Sequence, residues 1–227
     1  MKKFSFILIS LLFIVNGHSQ QLKKVSDFGS WVGVGVNYKL NKSYAISYLF
    51  QVRHFDEISE LEKSISELGA TYKINKKFKL EVNARYSFSR NKDYRFTQDL
   101  KYGASLRFKH KINSHFDFSY RLRGQTKYKN FFVKVKNDVD WYLRNKISLD
   151  YNYNKHKFYL GAEIFKEFEL YRLPYYNKYR ISLGDEIQNK LGEFNFSVLY
   201  EKELNRKYPL QIIYLRIGYT FKFKRNG

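Results

Sequence analysis

Residues 78–89 read Phe-Lys-Leu-Glu-Val-Asn-Ala-Arg-Tyr-Ser-Phe-Ser, and this order decides the fold. Phe78, Leu80, Val82, Ala84, Tyr86 and Phe88 share one parity, while Lys79, Glu81, Asn83, Arg85, Ser87 and Ser89 share the other. Successive Cβ atoms of a strand point to opposite sides, so the stretch is a β-strand with one wholly apolar face and one wholly polar face. The same phase recurs at 30–40, where Val32, Val34, Val36, Tyr38 and Leu40 alternate with Trp31, Gly33, Gly35, Asn37 and Lys39. Nine further stretches repeat it, from Tyr44, Ile46, Tyr48 and Phe50 to Ile213, Leu215, Ile217, Tyr219, Phe221 and Phe223; the one starting at Trp141 is interrupted by Asn145.

Tilted strands of about 9 to 11 residues are what a barrel needs to cross a hydrocarbon layer. A soluble β-sandwich also alternates, but it uses shorter strands and more Gly and Pro in its turns. This chain has two prolines, Pro174 and Pro209. The connections alternate between tight polar turns, at 41–43, 75–77, 110–115, 154–157 and 188–193, and longer segments at 56–63, 91–96, 128–138, 169–177 and 202–209. That is the asymmetry of periplasmic turns against extracellular loops. Aromatic pairs such as Tyr38 with Tyr44, Tyr72 with Phe78 and Phe108 with Phe116 flank the short turns as an interfacial girdle. The Tyr-Lys-Leu-Asn-Lys of 38–42 returns at 72–76 as Tyr-Lys-Ile-Asn-Lys, which reads as repeated turn chemistry. The fold class expected is therefore all-β, an antiparallel transmembrane barrel.

Eleven strands are counted, against the even number usual for single-chain bacterial barrels. The expectation is 10 to 12, with twelve favoured if 128–138 holds another strand, or ten if a terminal strand falls short of a span. Ile58, Leu61, Ile65 and Leu68 also fit helical spacing, so a short helix competes with an early start to the third strand.

Lys2 and Lys3, then an apolar run over 4–15, then Asn16, Gly17, His18 and Ser19 give the order of a secretory signal peptide. The run is shorter than a helical membrane span, and the expected cut follows Ser19. Residues 1–19 are then leader and 20–227 a single outer-membrane barrel domain. The chain has no cysteine, which excludes disulfides and a lipoprotein anchor. Aromatics make up 19% of it, and beyond the leader no long apolar run remains to span as a helix. The 42 Lys and Arg, less Lys2 and Lys3, against 21 Asp and Glu give the mature chain a formal charge of +19. Such an excess attracts polyanions. Export sets nucleic acid aside and leaves lipopolysaccharide phosphates or anionic solutes as partners, with the barrel assembly machinery acting during insertion.

Asp27-Phe28-Gly29-Ser30-Trp31, the Tyr-Lys-Leu-Asn-Lys turn, Tyr120-Arg121-Leu122-Arg123 and Leu143-Arg144-Asn145-Lys146 resemble the domain of unknown function 2490 family of outer-membrane barrels. The resemblance spans nearly the whole mature chain. It implies the fold and supplies no activity or functional residues.

Arg53, Arg85, Arg107, Arg121, Arg123, Arg144, Lys146, Arg180 and Arg216 carry the inward phase, as do Lys39 and Lys73, against Glu67, Glu81, Asp117, Asp150, Glu163 and Glu186. Rings of cations favour anions in a pore, whereas in a small barrel such charges also pair across a side-chain-filled interior. The functional expectation is a small passive pore or solute-binding barrel with a positive lumen. A structural, adhesive or lipopolysaccharide-associated barrel is the alternative. A lipid hydrolase or deacylase ranks below both. Of His54, His110, His115 and His156, only His54 has the outward phase at the loop rim, and Asp56, not a serine, stands beside it; no nucleophile, base and orienting group can be assembled from spacing. Catalytic residues, cofactors and metal sites are expected to be absent. The acidic groups Asp56, Glu57, Glu60 and Glu62, with Glu201 and Glu203, read as solvated loop charge.

Overall fold

The computed structural model describes residues 25–90, 96–129, 139–169 and 173–225. Every regular element among them is a strand: β1 (Val25–Lys39), β2 (Tyr44–Phe55), β3 (Glu60–Lys73), β4 (Phe78–Arg90), β5 (Phe96–Lys111), β6 (Phe116–Tyr128), β7 (Val139–Tyr153), β8 (His156–Phe168), β9 (Tyr175–Gln188), β10 (Gly192–Glu203) and β11 (Leu210–Lys224). Each pairs antiparallel with its successor, and β1 pairs with β11, so the eleven close into one barrel. Closure leaves no sheet edge unpaired.

The favoured count of twelve is corrected by this closure. β6 and β7 pair directly, from Phe116 opposite Tyr151 to Tyr128 opposite Val139, and no strand stands between them in the wall. Residues 130–138, where an additional strand was expected, lie outside the described residues, as does the leader at 1–19. An odd number forces the closing pair to be parallel, and β1 and β11 run together from Val25 opposite Leu210 to Lys39 opposite Lys224. The barrel wall therefore begins at one rim and ends at the other. The turn rim carries connections 40–43, 74–77, 112–115, 154–155 and 189–191, and the loop rim carries the rest.

One device builds four of the five turns. The Oδ1 atoms of Asn41, Asn75, Asn113 and Asn189 each accept backbone N–H groups two and three residues on, at 2.8–3.0 Å. An asparagine that bonds the following backbone stands in for a turn of main chain, which is why the residue recurs there. The fifth turn uses Asn154 at φ 53°, a left-handed conformation that asparagine tolerates.

The segment expected to be a longer loop at 56–63 is a four-residue turn, and the early start of β3 prevails over the helix. Asp56, Glu57 and Ile58 take φ values of 52°, 55° and 70°. The Asp27 carboxylate holds this left-handed run by accepting the N–H groups of Asp56 at 3.2 Å and Glu57 at 3.3 Å. The pairing of β2 with β3 slips between Arg53 and His54, leaving Glu62 as an extra residue. That bulge breaks the alternation of parity over 58–65 and lets a helical spacing show through.

The two faces invert the burial of a soluble protein. Leu68, Leu183, Val32 and Leu160 on the outward parity are 63%, 62%, 50% and 53% exposed. Inward-facing Arg53, Arg144 and Glu163 are buried. Two polar pairs on the outer face are held by hydrogen bonds. Tyr120 donates to Asn145 Oδ1 at 2.6 Å from the neighbouring strand, which explains how the interruption in β7 is accommodated. His156 Nδ1 lies 2.6 Å from Asp185 Oδ2 at the turn rim.

Candidate functional site: the cationic interior

Halfway along the barrel, Trp31 projects inward from β1 and is 4% exposed. Three guanidinium groups lie over its ring: Arg53 from β2 at 3.8 Å, Arg180 from β9 at 5.2 Å and Arg216 from β11 at 6.0 Å. Arg53 and Arg216 stand opposite Trp31 on the two strands paired with β1, and Arg180 reaches the ring from β9, beyond β10 and β11. Phe165 of β8 does the same for Arg144 at 4.5 Å and Arg180 at 4.7 Å. An aromatic face attracts a cation through its quadrupole, more so when both are desolvated. The two rings thus hold like charges together in a belt that narrows the interior.

Carboxylates complete the belt unevenly. Glu163 Oε1 accepts from Arg121 at 2.8 Å and from Arg144 at 3.0 and 3.1 Å. Glu67 pairs with Arg85 at 2.5 Å, Glu81 with Arg107 at 3.1 Å, and Glu201 with Arg180. Arg53 donates to Gln51 at 2.9 Å, and Arg216 donates to Ser197 at 2.9 Å and to Tyr159 at 2.7 Å. Among the described residues no carboxylate lies within 4 Å of the cationic nitrogens of Arg53, Lys146 or Arg216. Glycine admits one of these partners: a Cβ on Gly184 would stand 2.7 Å from the Tyr159 hydroxyl and 2.4 Å from Ser197 Cβ.

The nine cations singled out in the sequence all border the interior. Arg53, Arg85, Arg123, Arg144 and Arg180 line a central cavity of 240 Å³, and Arg107 lines a chamber of 370 Å³ on the turn side. Arg121, Lys146 and Arg216 line both and stand at the boundary between them. Around the central cavity eight cations face two carboxylates, Glu67 and Glu163. The loop side is different in sign. There Asp27, Asp56, Glu57, Glu60, Glu62, Glu201 and Glu203 border a cavity of 860 Å³ that also meets Arg90 and Lys178. The loop acids read as solvated charge therefore gather over one end of the lumen.

Trp31 was legible as inward by parity, but its place under three guanidiniums depends also on Arg180 and Arg216, from strands more than a hundred residues away. Sequence reasoning also missed that Ser30 Oγ lies 3.2 Å from His54 Nδ1 on the outer face near the loop rim, because the register of β1 on β2 brings them opposite. Among the described residues no carboxylate is hydrogen-bonded to that histidine, so the pair lacks the orienting group that nucleophilic catalysis uses. His110 is the next-to-last residue of β5, His115 sits in a turn and His156 begins β8, stacked on Phe108, Tyr151 and Phe158 respectively.

The fold and interior together define a closed β-barrel with a cation-rich lumen and an apolar outer wall. The chain belongs to the family described as protein of unknown function DUF2490, whose model matches residues 28–207. No curated relative and no solved structure matches it.

Proposed function

We propose that the protein is an outer-membrane barrel, exported by a signal peptide cleaved near Ser19, whose narrowed lumen admits and binds small anionic solutes. The observation that carries this reading is the inversion of the two faces. An outer wall of half-exposed Val, Leu, Ile, Tyr and Phe suits hydrocarbon, and only a closed barrel or a helix satisfies its backbone there. Strands of 12 to 16 residues exceed the span of about 9 to 11 that crossing requires. Lipid and lipopolysaccharide surround the wall, the assembly machinery inserts it, and the turn rim faces the periplasm.

Inside, the surplus of guanidinium and ammonium groups favours anions over cations, as charged rings do in pores. The belt of Trp31, Arg53, Arg180 and Phe165 restricts passage, so the lumen acts as a binding constriction more than an open channel. The test is planar-bilayer conductance of refolded residues 20–227 under a salt gradient. Small steps with a reversal potential favouring anions are expected, with the preference lowered by Arg121→Glu combined with Arg123→Glu. Selectivity unchanged by that pair of substitutions would remove these side chains from any pathway.

A further inference from the structure

Building on the anion-binding reading, we infer that the turn-side chamber is a site for a phosphate-bearing small solute, held by Arg121, Lys146 and Arg216 and entered from the turn rim. Three independent strands, β6, β7 and β11, deliver these cations to the inner end of the 370 Å³ chamber. Their counter-charge is incomplete. Glu163 serves Arg121 while also serving Arg144, and no carboxylate approaches Lys146 or Arg216 within 4 Å among the described residues. Among the described residues the buried Nε atoms of Arg121 and of Arg107, which also lines the chamber, have no hydrogen-bond partner. Cations converging from three strands with incomplete counter-charge favour an anion between them.

The acids of the chamber are already engaged. Glu186 pairs with Lys157, Glu193 pairs with Lys222 at 2.6 Å, and Asp150 accepts from Ser148 at 2.9 Å. The hydroxyls of Ser119 and Tyr159 and the amide of Asn195 add neutral donors along the same wall. A phosphate group matches this set better than a carboxylate, because its several oxygens accept from cations converging from different sides. The chamber's volume fits the phosphate with a small organic remainder.

The route in is also charged. Lys39, Lys73 and Lys79 share the inward parity at the turn rim and have no carboxylate within 4 Å among the described residues. Lys109, beside them, is balanced by Asp117 at 2.9 Å. Such a cluster on one side of the mouth raises the local concentration of anions there, whereas the acidic loop-side cavity repels them.

Trp31 reports on the site, since its ring lies 6.0 Å from Arg216 and the outward Trp141 can be removed. The experiment is titration of the Trp141→Phe protein, folded in a zwitterionic detergent, with inorganic phosphate and with glycerol 3-phosphate at constant ionic strength, calorimetry running alongside. A saturable response is expected, weakened at least tenfold by Lys146→Gln or Arg216→Gln, kept by Lys146→Arg, and unchanged by Lys166→Gln at the other rim. A response confined to phosphatidic acid would overturn the soluble solute in favour of a lipid headgroup. An equal response to chloride, or one indifferent to both Gln variants, would overturn the site. Because the titration needs no conduction, anion-selective currents without phosphate binding would sink this inference alone, and phosphate binding without anion-selective currents would sink the conduction reading alone.

Discussion

Glu163→Gln removes one negative charge and almost no volume, and it isolates the central claim about the belt. Its Oε1 atom is the shared acceptor for Arg121 and Arg144, at 2.8 to 3.1 Å, with side-chain exposures of 8%, 17% and 10% for the three residues. Removing one partner of a buried ion pair typically costs about 3–5 kcal/mol, because the remaining charge stays buried without compensation. Here two guanidiniums are left, and one of them, Arg144, shares the Phe165 ring with Arg180. The amide of glutamine still accepts one hydrogen bond, so the lower end, about 3 kcal/mol, is expected, or a roughly hundredfold fall in the folding equilibrium. Equilibrium urea unfolding in phospholipid vesicles measures it. Glu193→Gln serves as the reference, since its partner Lys222 is 39% exposed and surface pairs contribute about 0–1 kcal/mol. Adding Arg144→Met to Glu163→Gln should recover much of the loss, the apolar chain still packing on Phe165. A cost below about 1 kcal/mol for Glu163→Gln alone, matching Glu193→Gln, would show that water screens the belt and that the interior is an open channel.

Three other substitutions test separate parts of the account. Val82→Arg on the outer wall, where Val82 is 47% exposed, should cost about 2–4 kcal/mol in vesicles if that position faces hydrocarbon; a change near zero would place it in water. Asn113→Ala deletes two exposed hydrogen bonds to backbone N–H groups and should cost about 0.5–1.5 kcal/mol, read as a lower urea midpoint, with Asn113→Asp close to neutral. Ile58→Gly relieves a β-branched residue at φ 70°, a conformation costing roughly 1–3 kcal/mol, and after the greater unfolded-state freedom of glycine a net gain of about 1 kcal/mol is expected; destabilisation would show that the left-handed turn held by Asp27 does not form.

Much of this architecture is written in parity. Val32, Val34 and Val36 face outward and Trp31 and Arg53 inward because the side-chain period of a strand is two, and of the inward cations named from phase all but Lys39 and Lys73, at the turn rim, border an interior cavity. Asn41, Asn75 and Asn113 announce their turns because the same short side chain can replace main-chain bonding. Parity fails where a bulge inserts a residue, at Glu62 in β3 and again where β8 slips on β9 between Phe165 and Lys166. It also says nothing about which strand closes the ring. The parallel pairing of β1 with β11 joins residues some 185 positions apart, so eleven strands could be counted from parity but the closure of an odd ring emerges only in three dimensions. The site was legible as a list of cations and not as an arrangement. That Glu163 serves two arginines, and that Lys146 and Arg216 have no carboxylate partner among the described residues, depends on how strands at a distance in sequence curve toward one another.

The most direct test of the whole account uses the two tryptophans, which the fold places on opposite sides of the wall. Trp141 is 57% exposed on the outer face and Trp31 is 4% exposed within the lumen. Each is left alone in turn, by Trp31→Phe or Trp141→Phe, and the refolded protein is placed in vesicles whose acyl chains carry bromine. Strong quenching of Trp141 with little quenching of Trp31 is the predicted result. Equal quenching of both, or of neither, would contradict a membrane-spanning barrel with an apolar wall and a cationic interior.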